Sequence, residues 1–331
     1  RFRCCRVPKI FWRPYLKGSK HVAFIDDFVY RGMLLVVRAL SLIPFRSGQK
    51  LGRAAGRLFS LLPLERNSVA LEGLKASFAR MSDRDLRELY RKVIVHFSQM
   101  VFEVPHVLRL PLSNMDRYVV FDHEERLFRA LEKGKGALVL TGHFGNWELM
   151  SAAISLKLKG HSAVVARPID YGPAERLIRR LRTNFGTEII PKNNGLKLMI
   201  RMLRENRAIG VLLDQNVDWY DGVFVPFFGR AACANKGLAL LALRTGSPVL
   251  PVFSFRQPDG RYRIVFGEEV PLVRCGDRTR DVEDNTARFT GVIEDRIRRN
   301  PDQWFWFHRR WKTRPFCTVP EGYWDLKADG E

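Results

Sequence analysis

The stretch Gly136-Ala-Leu-Val-Leu-Thr-Gly-His-Phe-Gly-Asn-Trp-Glu148 carries a short apolar run into a glycine-flanked polar turn. The apolar part, Gly136 to Thr141, reads as a buried strand, and Trp147 to Leu158 reads as a helix. The same alternation continues downstream. Strands are predicted at Ser162–Ala166, Glu188–Pro191, Ala208–Leu213, Pro248–Phe255 and Arg261–Phe266. Helices are predicted at Glu124–Lys133, Pro173–Phe185, Gly195–Glu205, Asn235–Thr245 and Asp281–Arg299. Strands and helices in alternation with short connections imply an α/β fold, with a mostly parallel central sheet flanked by helices. Upstream the pattern is helical: Asp27–Leu42, Ser47–Leu61 stopped by Pro63, residues 65–80, and a long helix running from the capping sequence Ser82-Asp-Arg-Asp85 towards Val107. The expected organisation is a basic segment over 1–26, a helical membrane-associating region over 27–110, an α/β core over 111–320 and a tail over 321–331.

The 331 residues carry 56 Lys and Arg against 35 Asp and Glu, a formal charge of +21, with 46% hydrophobic residues. This composition excludes disorder for most of the chain. The charge calls for an anionic partner: nucleic acid, an anionic membrane or an acidic protein. It is also uneven, because residues 1–57 hold thirteen basic residues and two acidic ones. That basic segment surrounds the apolar run Met33–Phe45, which is too short to span a bilayer and is broken by Arg38 and Pro44. Basic flanks on an apolar helix suit a helix lying in an anionic interface; a buried helix with a solvated basic tail is the alternative. The five cysteines, Cys4, Cys5, Cys233, Cys275 and Cys317, are odd in number and form no C-x-x-C pair. They suggest neither a disulfide framework nor a zinc site. No signal-peptide cleavage pattern is found.

Ligands of open α/β sheets bind beyond the carboxyl ends of strands. Two polar clusters fall there: Thr141 to Glu148, and Asp214-Gln215-Asn216. In the first, His143 sits in the turn and Glu148 one turn into the following helix. A five-residue offset across a helix start can bring the carboxylate to an imidazole nitrogen, fixing the tautomer and raising the basicity of the other nitrogen. The cluster holds no Ser or Cys at a nucleophile position, so the pattern suits a general base acting on an external nucleophile. A helix-capping histidine beside a solvated glutamate is the plain alternative.

TGHFGNWEL resembles the H-x4-E/D block of the lysophospholipid acyltransferase superfamily, and more narrowly the late (lauroyl and myristoyl) acyltransferases of lipid A biosynthesis. Five further blocks resemble that family in order: Ala166-Arg167-Pro168, Leu213-Asp214-Gln215-Asn216, Phe224 to Gly229 with Asn235-Lys236-Gly237, Pro248 to Val252, and Pro301 to Arg310. They cover roughly residues 28–315. The resemblance implies a glycerol-3-phosphate acyltransferase-like fold with an N-terminal helical segment, and transfer of a fatty acyl chain from acyl-carrier-protein thioester to a hydroxyl of a lipid A precursor. It implies His143 as general base supported by Glu148, with no acyl-enzyme, metal or cofactor. It places acceptor or phosphate binding at Phe144, Gly145, Asn146, Arg167, Asp214, Gln215, Phe228 and Gly229. For Arg167 this means a phosphate or an oxyanion. Asp214 and Gln215 either line the acceptor pocket or order the loop, and the Phe227-Phe228-Gly229 loop either lines the acyl channel or packs in the core.

Arg176, Arg179, Arg180 and Arg182 share one predicted helix, which steers an acidic carrier or is simply solvated. Trp304, Trp306 and Trp311 with Arg309 and Arg310 stack bases, anchor at a membrane or pack. The family context favours packing with phosphate contact, and partners other than nucleic acid. The implied location is the cytoplasmic face of the bacterial inner membrane, peripheral or monotopic. Acceptors of the same fold kept open are phosphatidylinositol mannoside, a lysophospholipid or an aminolipid. A basic nucleic-acid-binding protein is the remote alternative, without a zinc-finger or RNA-recognition signature.

Overall fold

The computed structural model describes residues 20–62, 65–110, 112–192 and 195–316. The expected basic segment lies largely outside these residues, and so do Pro63, Cys4, Cys5, Cys317 and the tail. Four helices come first: α1 (Lys20–Leu42), α2 (Phe45–Phe59), α3 (Glu65–Ser77) and α4 (Asp83–Glu103). Then follow β1 (Val119–Asp122), α5 (Glu125–Glu132), β2 (Ala137–Thr141), α6 (Trp147–Lys157), β3 (Ser162–Ala166), α7 (Gly172–Thr183), β4 (Glu188–Pro191), α8 (Leu196–Arg204) and β5 (Ala208–Leu212). Next come β6 (Gly222–Phe227), β7 (Arg230–Asn235), α9 (Gly237–Thr245), β8 (Val249–Arg256), β9 (Tyr262–Phe266) and α10 (Arg278–Arg299), followed by a 3₁₀ turn at Pro301–Gln303.

Seven strands form one sheet in the order β1-β9-β8-β2-β5-β3-β4. All pairs are parallel except β8–β9. Side chains alternate across β2. Leu138 and Leu140 join a core with Leu89, Leu203, Leu241 and Phe289, whereas Ala137 and Val139 join a second core with Met150, Ile154 and Leu177. Burial on both faces is why these strands are short unbroken apolar runs. The N-terminal helices are part of these cores: Leu34 packs in one, and Ala70, Leu86 and Val93 in the other.

Helix α4 starts where the sequence predicted, with Ser82 Oγ accepting from the Asp85 amide at 3.2 Å. It ends at Glu103 and gives way to 3₁₀ turns over Val104–Arg109, because Pro105 lacks the N–H that would continue the helix. Two elements were missed. One is β1, only four residues long. The other is the β6–β7 hairpin, whose Phe224–Gly229 half reads as a loop in the sequence because Pro226 interrupts it.

Helices α2 and α4 lie in close contact, since a Cβ at Gly52 would stand 2.5 Å from the Gln99 Cα. Their outer neighbours stay uncovered: Phe24, Ile25, Phe28, Leu35 and Leu42 of α1, and Leu51 and Leu58 of α2, are exposed. Among the described residues no single helix is long and apolar enough to cross a membrane. The pair Phe24–Leu42 and Phe45–Phe59, bent by 113°, passes only when taken together.

Candidate active site

Parallel pairing of β2 with β5 aligns Thr141 with Leu212, so the turns that follow both strands emerge side by side. The chain leaving β2 enters α6 on one face of the sheet. The chain leaving β5 leads to the hairpin and to α9 on the other. The carboxyl ends therefore part, and a cleft of about 920 Å³ opens between them.

His143 lies in the turn after β2. The turn is tight because Gly145 has φ +58° and any Cβ there would stand 1.8 Å from the Ser254 carbonyl oxygen, so only glycine fits. Asn146 then caps α6, its Oδ1 accepting from the Leu149 amide at 3.0 Å. The His143 backbone N–H donates to Asp214 Oδ2 at 2.7 Å, and His143 Nδ1 lies 2.9 Å from Asp214 Oδ1. A carboxylate on Nδ1 fixes the proton there and leaves the Nε2 lone pair for a ligand. Nε2 meets the Gln215 amide at 3.4 Å among the described residues, and both residues line the cleft.

Asp214 is almost completely buried, and the Trp304 indole N–H also donates to its Oδ2 at 2.7 Å. Burial pushes its carboxyl up. The His143 charge and hydrogen bonds, with that of Trp304, outweigh this and bring it down to about 2.

This geometry corrects the expected pairing of His143 with Glu148. Glu148 in the first turn of α6 is turned towards α7, where Arg182 donates to it from Nη2 at 2.6 Å and from Nε at 3.0 Å. The Trp147 indole adds a third donor at 3.1 Å. Arg182, expected in a surface cluster, is thereby half-buried in the cleft wall. Its neighbours on α7 face outward, Arg176 binding Asp27 and Arg179 binding Glu175.

Other expected residues separate as well. Arg167 lines the cleft rim and is exposed, bound to Asp170 at 3.0 Å. Phe144 is instead a core residue against Phe253 and Phe255. Gly145 and Asn146 shape the turn without lining the cleft. Phe228 sits at the hairpin turn with φ +51°, buried against Phe78 and Trp306, and Gly229 completes that turn. Neither lines the cleft.

Several cleft residues were missed by sequence reasoning: Ser151, Lys192, Lys236 and His308. His308 is pushed down to about 4: burial lowers it most, the Asp214 charge pulls it back up, and the charges of Arg310, His143 and Lys312 lower it further. It therefore faces the cleft as a neutral ring at pH 7. The cleft lining is mixed, with the cations Arg167, Arg182, Lys192 and Lys236 beside the apolar Val164, Met199, Leu213, Leu238 and Leu240. A smaller apolar cavity of about 50 Å³ shares Trp147, Ser151, Val164 and Leu212 with it and continues beneath α6, past Met150, Ile154 and Gly210. Among the described residues no group of three or more His, Cys, Asp or Glu is placed to hold a metal ion.

Comparison with known proteins places this geometry in a family. The chain is 26% identical over 277 residues to the lipid A biosynthesis lauroyltransferase of Escherichia coli, covering 82% of this chain and 88% of that one. It is 25% identical over 267 residues to the lipid A biosynthesis palmitoleoyltransferase of the same organism, covering 80% and 85%. A phosphatidylinositol mannoside acyltransferase of Mycolicibacterium smegmatis is 29% identical over 140 residues, 41% of this chain and 45% of that one. Among solved structures, the 1-acyl-sn-glycerophosphate acyltransferase of Thermotoga maritima aligns over 78% of this chain and 99% of its own, at 14% identity and a TM-score of 0.38. The family described as bacterial lipid A biosynthesis acyltransferase matches residues 17–313, and the chain belongs to it as an acyltransferase.

Proposed function

We propose that the chain moves a fatty acyl group from a carrier-protein thioester to a hydroxyl of a lipid A precursor, with His143 as general base and Asp214 as its acidic partner. The observation that carries this reading is the His143–Asp214 pair, whose remaining ring nitrogen opens on a cleft lined by both cationic and apolar side chains. His143 Nε2 takes the proton of the acceptor hydroxyl as its oxygen attacks the thioester carbonyl. Asp214 stabilises the resulting imidazolium. The tetrahedral oxyanion collapses, the carbon–sulfur bond breaks, and the imidazolium returns the proton to the leaving thiolate. Arg182, held by Glu148 in the cleft wall, supplies positive charge where the oxyanion develops. Glu148 thus acts through a guanidinium and not through the imidazole. Arg167 at the rim, with Lys192 and Lys236, suits the phosphate of an anionic acceptor. The apolar lining and the cavity under α6 suit the acyl chain.

The exposed apolar faces of α1 and α2 alternate with Arg31, Arg38, Arg53 and Arg57. This pattern supports docking on an anionic membrane, by the reading at the cytoplasmic face of the bacterial inner membrane. The test is mass spectrometry of products formed by the purified protein from an acyl-carrier-protein series and a lipid A precursor. A mass gain of one acyl chain on the precursor, lost in His143→Ala, is expected. A gain appearing only on phosphatidylinositol mannoside, a lysophospholipid or an aminolipid would replace the acceptor and keep the chemistry.

A further inference from the structure

Trp304 lies outside the cleft, only 2% exposed, yet it holds the buried acid that binds the cleft residue His143. Asp214 accepts from three donors: the His143 ring, the His143 backbone N–H and the Trp304 indole. A carboxylate torsion is broad and roughly two-fold when nothing fixes it, and the indole bond restrains it at Oδ2, beside the His143 backbone N–H, which leaves Oδ1 for the imidazole. The surrounding backbone binds the same parts together. The Gly145 amide donates to the Gln303 carbonyl at 2.9 Å, and the Phe305 amide donates to the His143 carbonyl at 3.0 Å. Phe144 and Trp304 face each other as an isolated antiparallel bridge. The indole itself is wedged against Trp306, with ring centroids 4.5 Å apart, and against Phe227. Segment 303–305 therefore runs as a splint along the His143 turn and reaches across to the strand-β5 side at one point, the indole N–H.

We propose that Trp304 is a positioning residue for proton transfer, its indole N–H fixing the Asp214 carboxylate in the orientation that binds His143. The proposal rests on the reading of His143 and Asp214 as the base and its partner. Its second consequence is electrostatic. The indole draws off part of the carboxylate charge. Without it the carboxylate acts more strongly on the imidazole, and the pair gives up its proton at higher pH.

Trp306 provides a matched control. It is as deeply buried, and its indole N–H donates to the Pro301 carbonyl at 2.7 Å, away from Asp214. Trp304→Phe and Trp306→Phe are compared by thermal melting and by pH–rate profiles of acyl transfer. Trp304→Phe is expected to lower kcat by roughly 10–100-fold with KM little changed, as for loss of one hydrogen bond to a charged group. Its acid limb moves to higher pH by roughly 0.5–1 unit. Trp306→Phe is expected to lose similar thermal stability and keep the acid limb in place. Replacement of the Trp304 indole by benzothiophene, which keeps the ring size and removes the N–H, reproduces the kinetic change even if Trp304→Phe fails to fold. Equal effects of the two phenylalanine variants on the profile, or an unmoved acid limb in the benzothiophene protein, would overturn the proposal. If His143→Ala retains transfer, the base reading falls and takes this proposal with it. If His143→Ala abolishes transfer and the acid limb stays put, only the role of Trp304 falls.

Discussion

Asp214 and Glu148 come to one site from different elements, Glu148 lining the cleft and Asp214 standing behind His143, and each is tied to a nitrogen group. Asp214 follows β5, is 1% exposed and binds an imidazole; Glu148 opens α6, is 10% exposed and binds a guanidinium. The two pairs look alike as carboxylate–nitrogen contacts and differ in what they can do. An imidazole exchanges its proton near neutral pH, whereas a guanidinium holds its own throughout. The first pair can therefore move a proton and the second can only place charge. The sharpest break of this comparison is the isosteric amide. In Asp214→Asn the side chain can donate to Nδ1 and leave the proton on Nε2, the wrong tautomer for a base. Transfer is expected to fall by about 10³–10⁴-fold in kcat, close to the loss in His143→Ala, in single-turnover assays with saturating donor. If Glu148→Gln proved as damaging as Asp214→Asn, the division of roles would be wrong.

Glu148→Gln is expected to cost less, about 10–100-fold, because it loosens Arg182 without touching the base. A double-mutant cycle sharpens this. If Glu148 acts through Arg182, Glu148→Gln in an Arg182→Ala background adds almost nothing, since the two losses are one loss. Full additivity of the two changes in transfer rate would show that Glu148 works on something else.

The sequence made one of these carboxylates visible and hid the role of the other. The β2–α6 turn is local, so His143, the glycines and the helix start at Trp147 can be read from adjacent residues. The α/β alternation is legible for the same reason: each strand is an apolar run bounded by turn residues. The five-residue spacing, and the H-x4-E resemblance built on it, offered Glu148 as the partner. The actual contact joins positions 71 apart and depends on β5 lying beside β2, a fact of sheet order that no local pattern encodes. A rule that strand-end carboxylates of neighbouring parallel strands meet would have pointed to Asp214. Phe144, Phe228 and Gly229 sit in the core or the hairpin turn and not on the cleft for a related reason. Aromatic and glycine residues beside a functional turn serve the core and the backbone as readily as the ligand, and burial decides between these uses.

The two pairs should also differ in how they couple folding to acid. The Asp214 carboxyl is brought from 3.8 down to about 2 by its partners. A depressed carboxyl contributes stability that is fully present above its unfolded value and lost as pH falls through its folded one. The window is thus roughly pH 4 to 2, and the contribution about 2 kcal/mol. Urea unfolding of the inactive His143-containing Asp214→Asn protein should show a flatter loss of stability across that window than the parent chain. A parallel acid limb in both proteins would mean that the Asp214 bonds persist in the unfolded chain or are weaker than the geometry indicates.

The smallest effect is expected at the rim. Arg167 and Asp170 form an exposed pair three residues apart, and such pairs contribute little to stability. Arg167→Ala should therefore leave the melting temperature within about 1 °C, as surface changes below ~0.5 kcal/mol do. What Arg167 can affect is the capture of an anionic acceptor. KM for a phosphorylated lipid A precursor should rise by several-fold, roughly 3–10-fold for one exposed charge-assisted contact, with kcat nearly constant. Raising the salt concentration should shrink the difference between parent and variant, because exposed charges are screened over about 10 Å. A fall in kcat instead would bring Arg167 to the reacting carbonyl beside Arg182, and the line between the proton-moving pair and the charge-placing pair would then have to be redrawn to include the rim.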